Sequence, residues 1–420
     1  MADQEAELAV MQGQQTDLSN QQTALASFTT DVQALQSAAF TLTDPAGPLT
    51  DVVAASSNST VLTASATPGA SSGTHSIVVT SLATTSSAYS AELATGSTPL
   101  ATGTLSIQVG AATAVPITVD NTNNTLGGLA ETINNANIGV SASVITDANG
   151  SRLAIVSNTS GAPGNLTVSS SAGLPAFTQA VAGANAVLTV DGIPISSTSN
   201  TVTGTIQGVT LNLASPGAAV SISVGPDVTD QETAINNYVS AYNTVIGDLN
   251  TQFAINSTTG EQGPLATDST IALTQTQILG SSAFAMSGNG AVNSLGDLGI
   301  TMNDDGTLTV NSSQLEAALQ SNPAAIQAFF QATTPGTFGT NLENSLTTVA
   351  DPVTGALTQD ANGLAQTQTD LTSQISDFED QLNTTQTALT AEYDQVDSTL
   401  QELPLLLSQI TSQLSSLSGA

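Results

Sequence analysis

Residues 371–417 read LTSQISDFEDQLNTTQTALTAEYDQVDSTLQELPLLLSQITSQLSSL, and within them Ile375, Leu382, Leu389, Val396, Leu403, Ile410 and Leu417 recur at every seventh position. A repeat of seven keeps one stripe of a helix facing a partner, so the stretch predicts a long, coiled-coil-like helix. A second apolar row runs beside it, through Leu371 and Phe378 on one side and then Tyr393, Leu400, Leu407 and Leu414 on the other. The switch passes through Thr385, Leu389 and Tyr393 in two steps of four, a stutter that locally unwinds a supercoil. Pro404 removes a backbone donor and crowds the preceding turn, which predicts a kink near Leu400.

The other end of the chain carries a shorter version of the same pattern. Met11, Leu18, Leu25, Val32 and Ala39 keep the heptad spacing, flanked by Phe28, Leu35 and Leu42, and the run ends at Asp44-Pro45-Ala46-Gly47-Pro48. Two helical ends are expected to pair. The N-terminal stripe is covered within one subunit on this reading, whereas the seam reaching past Leu403 has more apolar surface than the shorter helix covers and calls for helices from other subunits.

Between the ends the apolar residues alternate over short runs rich in Ser, Thr and Gly. Leu105-Ser106-Ile107-Gln108-Val109, Val209-Thr210-Leu211-Asn212-Leu213 and Val220-Ser221-Ile222-Ser223-Val224 read as strands, with tight turns at Asn149-Gly150 and Asp191-Gly192. One short helix is predicted from about Leu126 to Asn137, its face carrying Leu126, Leu129, Ala130 and Ile133. After Pro226 the helical period returns through Ile235, Val239, Tyr242, Ile246, Leu249 and Phe253, behind a cap at Thr229 or Asp230. A hairpin is expected at Asp304-Asp305-Gly306, then helices from the capping-box spacing Ser313-x-x-Glu316 and from Asn322-Pro323.

Composition narrows the function. Across 420 residues, 33 Asp and Glu face one basic side chain, Arg152, giving a formal charge of −32. Such a chain repels nucleic acid and anionic membrane surfaces. There is no cysteine, so disulfide and thiolate chemistry are excluded. No apolar run is long enough for a membrane span, and no cleavable signal peptide is legible at the N-terminus.

Catalytic signals are weak. Gly69-Ala70-Ser71-Ser72-Gly73 with His75 matches the nucleophile-elbow pattern in letters only, since a Pro-Gly loop precedes it and an apparent strand follows. Asn303-Asp304-Asp305-Gly306 lacks the acid that a calcium loop would need where Ser312 stands. The chain is therefore read as a non-enzyme without cofactor or metal, with a secreted hydrolase using Ser71 and His75 as a minor competitor.

The order of these segments resembles the flagellar filament cap family, the flagellar hook-associated protein 2 proteins. Thr125-Leu126, Ile133-Asn134, Gly139-Val140-x-Ala142 and Asp147-x-x-Gly150-x-Arg152-Leu153, ending at Ser157 and Gly161, follow the family's run. Leu188-Thr189-Val190-Asp191-Gly192, Ile206-x-Gly208-Val209, Leu298-Gly299-Ile300, Tyr393-x-x-x-Asp397-x-x-Leu400 and Ile410-x-x-Gln413-Leu414 continue it. The resemblance implies a multidomain α+β protein. Paired terminal helices form a coiled-coil-like leg, and a helical domain and two β-rich head domains are inserted between them. The expected segments are 1–42 as the N-terminal leg and 43–75 as connector, then 76–90 with 185–226 as one head and 91–184 as the inserted head. Residues 227–361 form the helical domain and 362–420 the C-terminal leg.

The resemblance further implies a homo-oligomeric ring at the filament tip that assists flagellin polymerisation, with flagellin, hook-filament junction proteins and an export chaperone as partners. It implies an extracellular, flagellar location reached through type III export without a cleaved signal. Leu389, Tyr393, Val396, Leu400, Leu403, Leu407, Ile410 and Leu414 become the expected oligomer or filament contacts, and Asp147, Gly150, Arg152 and Leu153 the expected head-motif residues. Family members carry some tens of residues before the position matching Met1, so an N-terminal segment of the leg is expected to be missing here. Near-total loss of Lys and Arg is atypical of the family. An adhesin or a flagellin-like filament subunit shares the polar, Cys-free composition and is the alternative.

Overall fold

The computed structural model describes residues 2–258, 260–331 and 333–417, with 415–417 described by backbone alone. The chain begins with helix α1 (Ala2–Thr43) and divides into two compact units, Pro48–Gln231 and a second made of Met1–Gly47 with Glu232–Ala420.

The unit Pro48–Gln231 is β-rich. It opens with β1 (Val52–Ser56), β2 (Leu62–Ala66), β3 (Gly73–Ser81), β4 (Thr85–Ser90), β5 (Gly103–Val109) and β6 (Val115–Val119). After helix α2 (Leu126–Asn135) come β7 (Val140–Thr146), β8 (Ser151–Ser160), β9 (Leu166–Ser170) and β10 (Phe177–Val181). It closes with β11 (Ala186–Val190), β12 (Ile193–Ser197), β13 (Thr201–Ile206), β14 (Val209–Leu213) and β15 (Val220–Pro226).

Two hydrophobic cores organise these strands. Sheets of order β1-β15-β3-β11-β12 and β13-β14-β2 enclose the first, around Leu62, Ile77, Leu188, Leu211 and Ile222. Period-two alternation explains the placement: in β15 Val220, Ile222 and Val224 are buried while Ser221 and Ser223 are exposed. Sheets β10-β4-β8-β7 and β6-β5-β9 with α2 supply the second core, around Leu105, Ile107, Leu126, Ile133, Leu153 and Ile155. The predicted face of α2 is the one buried, and the Thr125 hydroxyl caps it by accepting from the Gly128 amide at 3.1 Å. Both turn dipeptides sit in hairpins, β7–β8 at Asn149-Gly150 and β11–β12 at Asp191-Gly192, where positive φ at both residues (51° and 81°) suits a type I′ turn.

The buried serines of β4 are satisfied by backbone partners, whereas the buried Gln231 side-chain oxygen receives no hydrogen bond. Ser86 and Ser90 on β4 are fully buried. The Ser86 hydroxyl accepts from the Leu166 amide (2.9 Å) and donates to the Val181 carbonyl (3.0 Å), while Ser90 accepts from the Leu153 amide (2.9 Å). Residues 43–75, read from sequence as a connector, hold β1 and β2, whose Ala54 and Leu62 join the first core. Each is five residues long: Val52-Val53-Ala54-Ala55-Ser56 does not alternate, and the alternation of Leu62-Thr63-Ala64-Ser65-Ala66 is carried mostly by alanine. Likewise β4, placed by sequence with the first head, pairs with β8 and β10 in the sheet of the second core.

The other unit is helical. It contains α1, most of α3 (Val228–Phe253), α4 (Ser269–Ser282), the hairpin β16 (Ile300–Met302) and β17 (Leu308–Val310), then α5 (Ser312–Ser321), α6 (Pro323–Phe330), α7 (Phe338–Ala350) and the long α8 (Ala356–Leu417). Most of the chain's aromatic rings gather here: Phe329 stacks on Phe338 at 4.8 Å, and Tyr238 meets Phe338 edge-on at 6.5 Å. Burial pushes the Tyr238 phenol up. Asn243 on α3 fastens the hairpin, its side-chain oxygen accepting from the Leu308 amide (2.7 Å) and its nitrogen donating to the Leu308 carbonyl (2.8 Å).

Two predicted caps are replaced by neighbours. Helix α3 starts at Val228, one residue after Asp227, whose carboxylate accepts from the Asp230 amide at 3.2 Å, so neither Thr229 nor Asp230 is the cap. Helix α5 is capped by Asn311, which accepts from Gln314 N at 3.2 Å, in place of the Ser313 box. In both cases the cap lies two or three residues earlier than the sequence signal implies. Asn322 with Pro323 at the first helical position starts α6 as expected.

Candidate assembly interface

Helices α1 and α8 pack against each other in the helical unit. Leu18, Leu25, Phe28, Val32, Leu35, Ala39 and Leu42 of α1 are buried, the predicted stripe from its second heptad onward. On α8, Leu357, Ile375 and Leu382 are buried. Polar side chains close the far end of the pair: Gln15 Nε2 donates to Thr372 Oγ1 (3.0 Å) and Gln12 Nε2 to Glu379 Oε1 (3.4 Å). Near the other end of α1, the buried Thr43 hydroxyl donates to Glu343 on α7 at 2.5 Å.

Beyond Leu382 the cover ends. Leu389 is half-buried, and then Tyr393 (73% exposed), Val396, Leu400, Leu403, Leu407 (60%), Ile410 and Leu414 all face solvent. The Leu417 side chain lies outside the described residues. Two further leucines, Leu405 (71%) and Leu406, are also exposed. At 100° per residue Leu405 points about 200° away from Leu403, so α8 is apolar on more than one side there. A helix apolar on several sides belongs among several partners. The heptad reading missed both leucines because it follows only one stripe. Their signal was the unbroken Leu405-Leu406-Leu407 run and the lack of any charge between Glu402 and Leu417. Pro404 lies inside α8, which remains helical to Leu417.

The head-motif residues build a hairpin. Asp147 accepts from the amides of Asn149 (2.8 Å) and Gly150 (3.1 Å), and these two bonds, more than Arg152, hold its carboxyl below the usual range. A Cβ on Gly150 would stand 2.4 Å from the Leu93 carbonyl oxygen, so only glycine fits. Arg152 pairs with Glu92 and lies over the Tyr89 ring, 5.6 Å from its centroid, while Leu153 is in the core.

The minor chemical candidates are structural too. His75 lies in β3, and its Nδ1 meets Asp191 Oδ2 at 2.8 Å, while Ser71 N donates to the Gln207 carbonyl. The His75 hydrogen bond, then that from the Ser76 amide, holds the Asp191 carboxyl down. A helix does not follow Ser71, so the elbow geometry is missing. Asp305 spends its oxygen on the Thr307 amide (3.0 Å) and hydroxyl (2.6 Å) inside the β16–β17 turn. Among the described residues no helix is long and apolar enough to cross a membrane.

The chain is similar to known proteins along most of its length. The family description "flagellar hook-associated protein 2 C-terminus" matches residues 183–404, and its N-terminal counterpart matches residues 1–86. The B-type flagellar hook-associated protein 2 of Pseudomonas aeruginosa is 32% identical over 401 residues, covering 87% of this chain and 83% of that protein. The Salmonella typhimurium flagellar hook-associated protein 2 is 27% identical over 367 residues, covering 80% and 77%. Among solved structures, the D1-D2-D3 domains of the flagellar cap protein FliD from Escherichia coli superpose with a TM-score of 0.62 at 26% identity, over 81% of this chain and 99% of that one. With the family's N-terminal and C-terminal descriptions and the α+β architecture matched, the chain belongs to the flagellar hook-associated protein 2 family, the structural cap proteins of the bacterial flagellum.

Proposed function

We propose that this chain sits at the distal end of a flagellar filament, as a ring of several copies, and promotes the addition of exported flagellin. The observation that carries the reading is the uncovered half of α8, where one apolar stripe and two off-stripe leucines stand in water on a helix whose first half is sealed. Burying each leucine contributes roughly 1.5 to 3 kcal/mol, so a partner helix is strongly favoured there. In this reading Leu389, Tyr393, Val396, Leu400, Leu403, Leu407, Ile410 and Leu414 meet filament or neighbouring-subunit helices. The β-rich heads receive flagellin in this reading. Hook-filament junction proteins and an export chaperone are further partners, and export proceeds through the flagellar channel without a cleaved signal.

The test is to delete the gene in its source bacterium and assay swimming and flagellin in the medium. Secreted flagellin monomer with stunted filaments, reversed by this chain but not by its Leu407→Asp variant, is the expected result. Normal motility with Leu407→Asp removes the α8 interface from the reading, and normal filaments in the deletion remove the cap function itself.

A further inference from the structure

The helical unit contains no Lys, Arg or His side chain, so none of its carboxylates has a side-chain cation to face. Two of them instead face another carboxyl across a helix junction. Asp360 on α8 stands against Asp268, the residue that caps α4. Asp248 on α3 stands against Asp31 on α1. Asp268 Oδ1 is already committed, accepting from the amides of Thr270 (2.7 Å) and Ile271 (3.4 Å). Asp360 Oδ2 is buried and receives no hydrogen bond from the protein. An acceptor buried without a donor is costly, and two carboxylates side by side repel as well. One proton held between the pair removes both penalties, because it turns an acceptor facing an acceptor into an O–H donor facing a carboxylate.

We propose that the Asp360–Asp268 carboxyl pair clamps the helical unit by sharing one proton, so that α8 is tied to α4 in mildly acidic medium and the tie weakens as the medium becomes alkaline. The neighbours of the pairs leave the proton as the available donor. Asp268 is the titratable group that acts on Asp360, and Asp31 the one that acts on Asp248. Of the other elements packed on α8, α1 contributes no charged group to Asp360, and Glu343 of α7 is engaged by Thr43. Desolvation, then the neighbouring Asp268, pushes the Asp360 carboxyl up to about 6, and desolvation followed by Asp31 pushes Asp248 up. A folded-state value above the unfolded one means that the folded chain holds a proton the unfolded chain releases. The stabilisation is complete below the ordinary carboxylate range and is lost as pH rises through about 6.

The test is urea unfolding of the full chain, followed by helical circular dichroism, which reports this unit because nearly all helix lies in it. Between about pH 5 and about pH 8 the unfolding constant of the wild type is expected to rise by up to about tenfold through Asp360, with partial exposure of the side chain setting that ceiling. Asp360→Asn supplies a permanent donor and is expected to lose that rise. Asp377→Asn removes one charge from an exposed site on the same helix and is expected to keep it. Equal pH slopes in the wild type and Asp360→Asn overturn the proposal. A second reading needs no substitution at Asp360: its side-chain carbon resonance in labelled protein should titrate near 6 and move when Asp268 is replaced by Asn. Titration in the ordinary carboxylate range overturns the clamp whatever the unfolding curves show.

Discussion

The two halves of α8 share one sequence pattern and meet opposite surroundings. From Leu357 to Leu382 the large apolar positions are buried or half-buried within the helical unit, partly by α1, and from Tyr393 to Leu414 the same spacing stands in solvent. Heptad periodicity therefore establishes that a helix has a face and leaves open what covers it. The difference between the halves is a matter of reach: the side-chain bonds between the two helices run out at Gln12 and Glu379, while α8 continues to Leu417. The covered half holds the unit together, and the uncovered half is free to hold something else.

The largest effect expected from this contrast lies in the covered seam. Phe28 on α1 is 2% exposed, and Phe28→Ala is expected to cost about 3–5 kcal/mol of helical-unit stability in urea unfolding, since the vacated volume collapses only partly. A cost below about 1 kcal/mol would mean that the α1 seam is as dispensable as the exposed one, and the contrast would fall. Next comes the backbone of the uncovered half, which rests on local helix bonds alone. Pro404 cannot donate to the Leu400 carbonyl, and a proline inside a helix costs about 3 kcal/mol. Pro404→Ala is expected to raise hydrogen-exchange protection from Leu400 to Leu414 and to leave protection around Ile375 unchanged. If the tail is already as protected as the sealed half, the proline imposes no local weakness. Smaller again is Thr43, whose buried hydroxyl donates to Glu343. Thr43→Val keeps the shape, deletes that bond, and is expected to cost about 1–2 kcal/mol by the same unfolding measurement.

Much of this was legible along the chain, for reasons that differ by element. The stripe of α1 and the face of α2 were readable because packing against a core selects apolar residues at the helix period, and Asp191-Gly192 because a two-residue hairpin turn demands positive φ; Asn149-Gly150 instead lies in a four-residue loop without positive φ, where Gly150 is fixed by its closeness to the Leu93 carbonyl. Caps were less legible. In the stretches that start α3 and α5 several residues could cap, and the end of the preceding strand chooses between them. Strands β1 and β2 were hidden because their burial comes from partners more than a hundred residues away, β15 and β14. Of the candidate interface, the stripe was readable and its lack of cover was an expectation from helix length. Leu405 was invisible to a method that follows one face. The carboxyl pairs left no local trace at all, because each joins helices that are distant in sequence.

The smallest effect is the one that best separates the halves. Leu407 is 60% exposed and packs on nothing that a truncation would empty, so Leu407→Ala is expected to change the stability of the dilute, unassembled chain by no more than about 0.5 kcal/mol. Leu382 occupies the same kind of position in the sealed half at 9% exposure, and Leu382→Ala is expected to cost about 2–5 kcal/mol. The pair must be compared at low protein concentration, where association does not stabilise the folded chain by mass action. Raising the concentration then sharpens the contrast. If the tail associates, wild-type stability climbs with concentration while that of Leu407→Ala lags behind, and the Leu382→Ala deficit stays where it was. A Leu407→Ala chain destabilised as much as Leu382→Ala at low concentration would mean that the tail is covered within its own subunit, and the case for a surface awaiting filament or neighbouring-subunit helices would be lost.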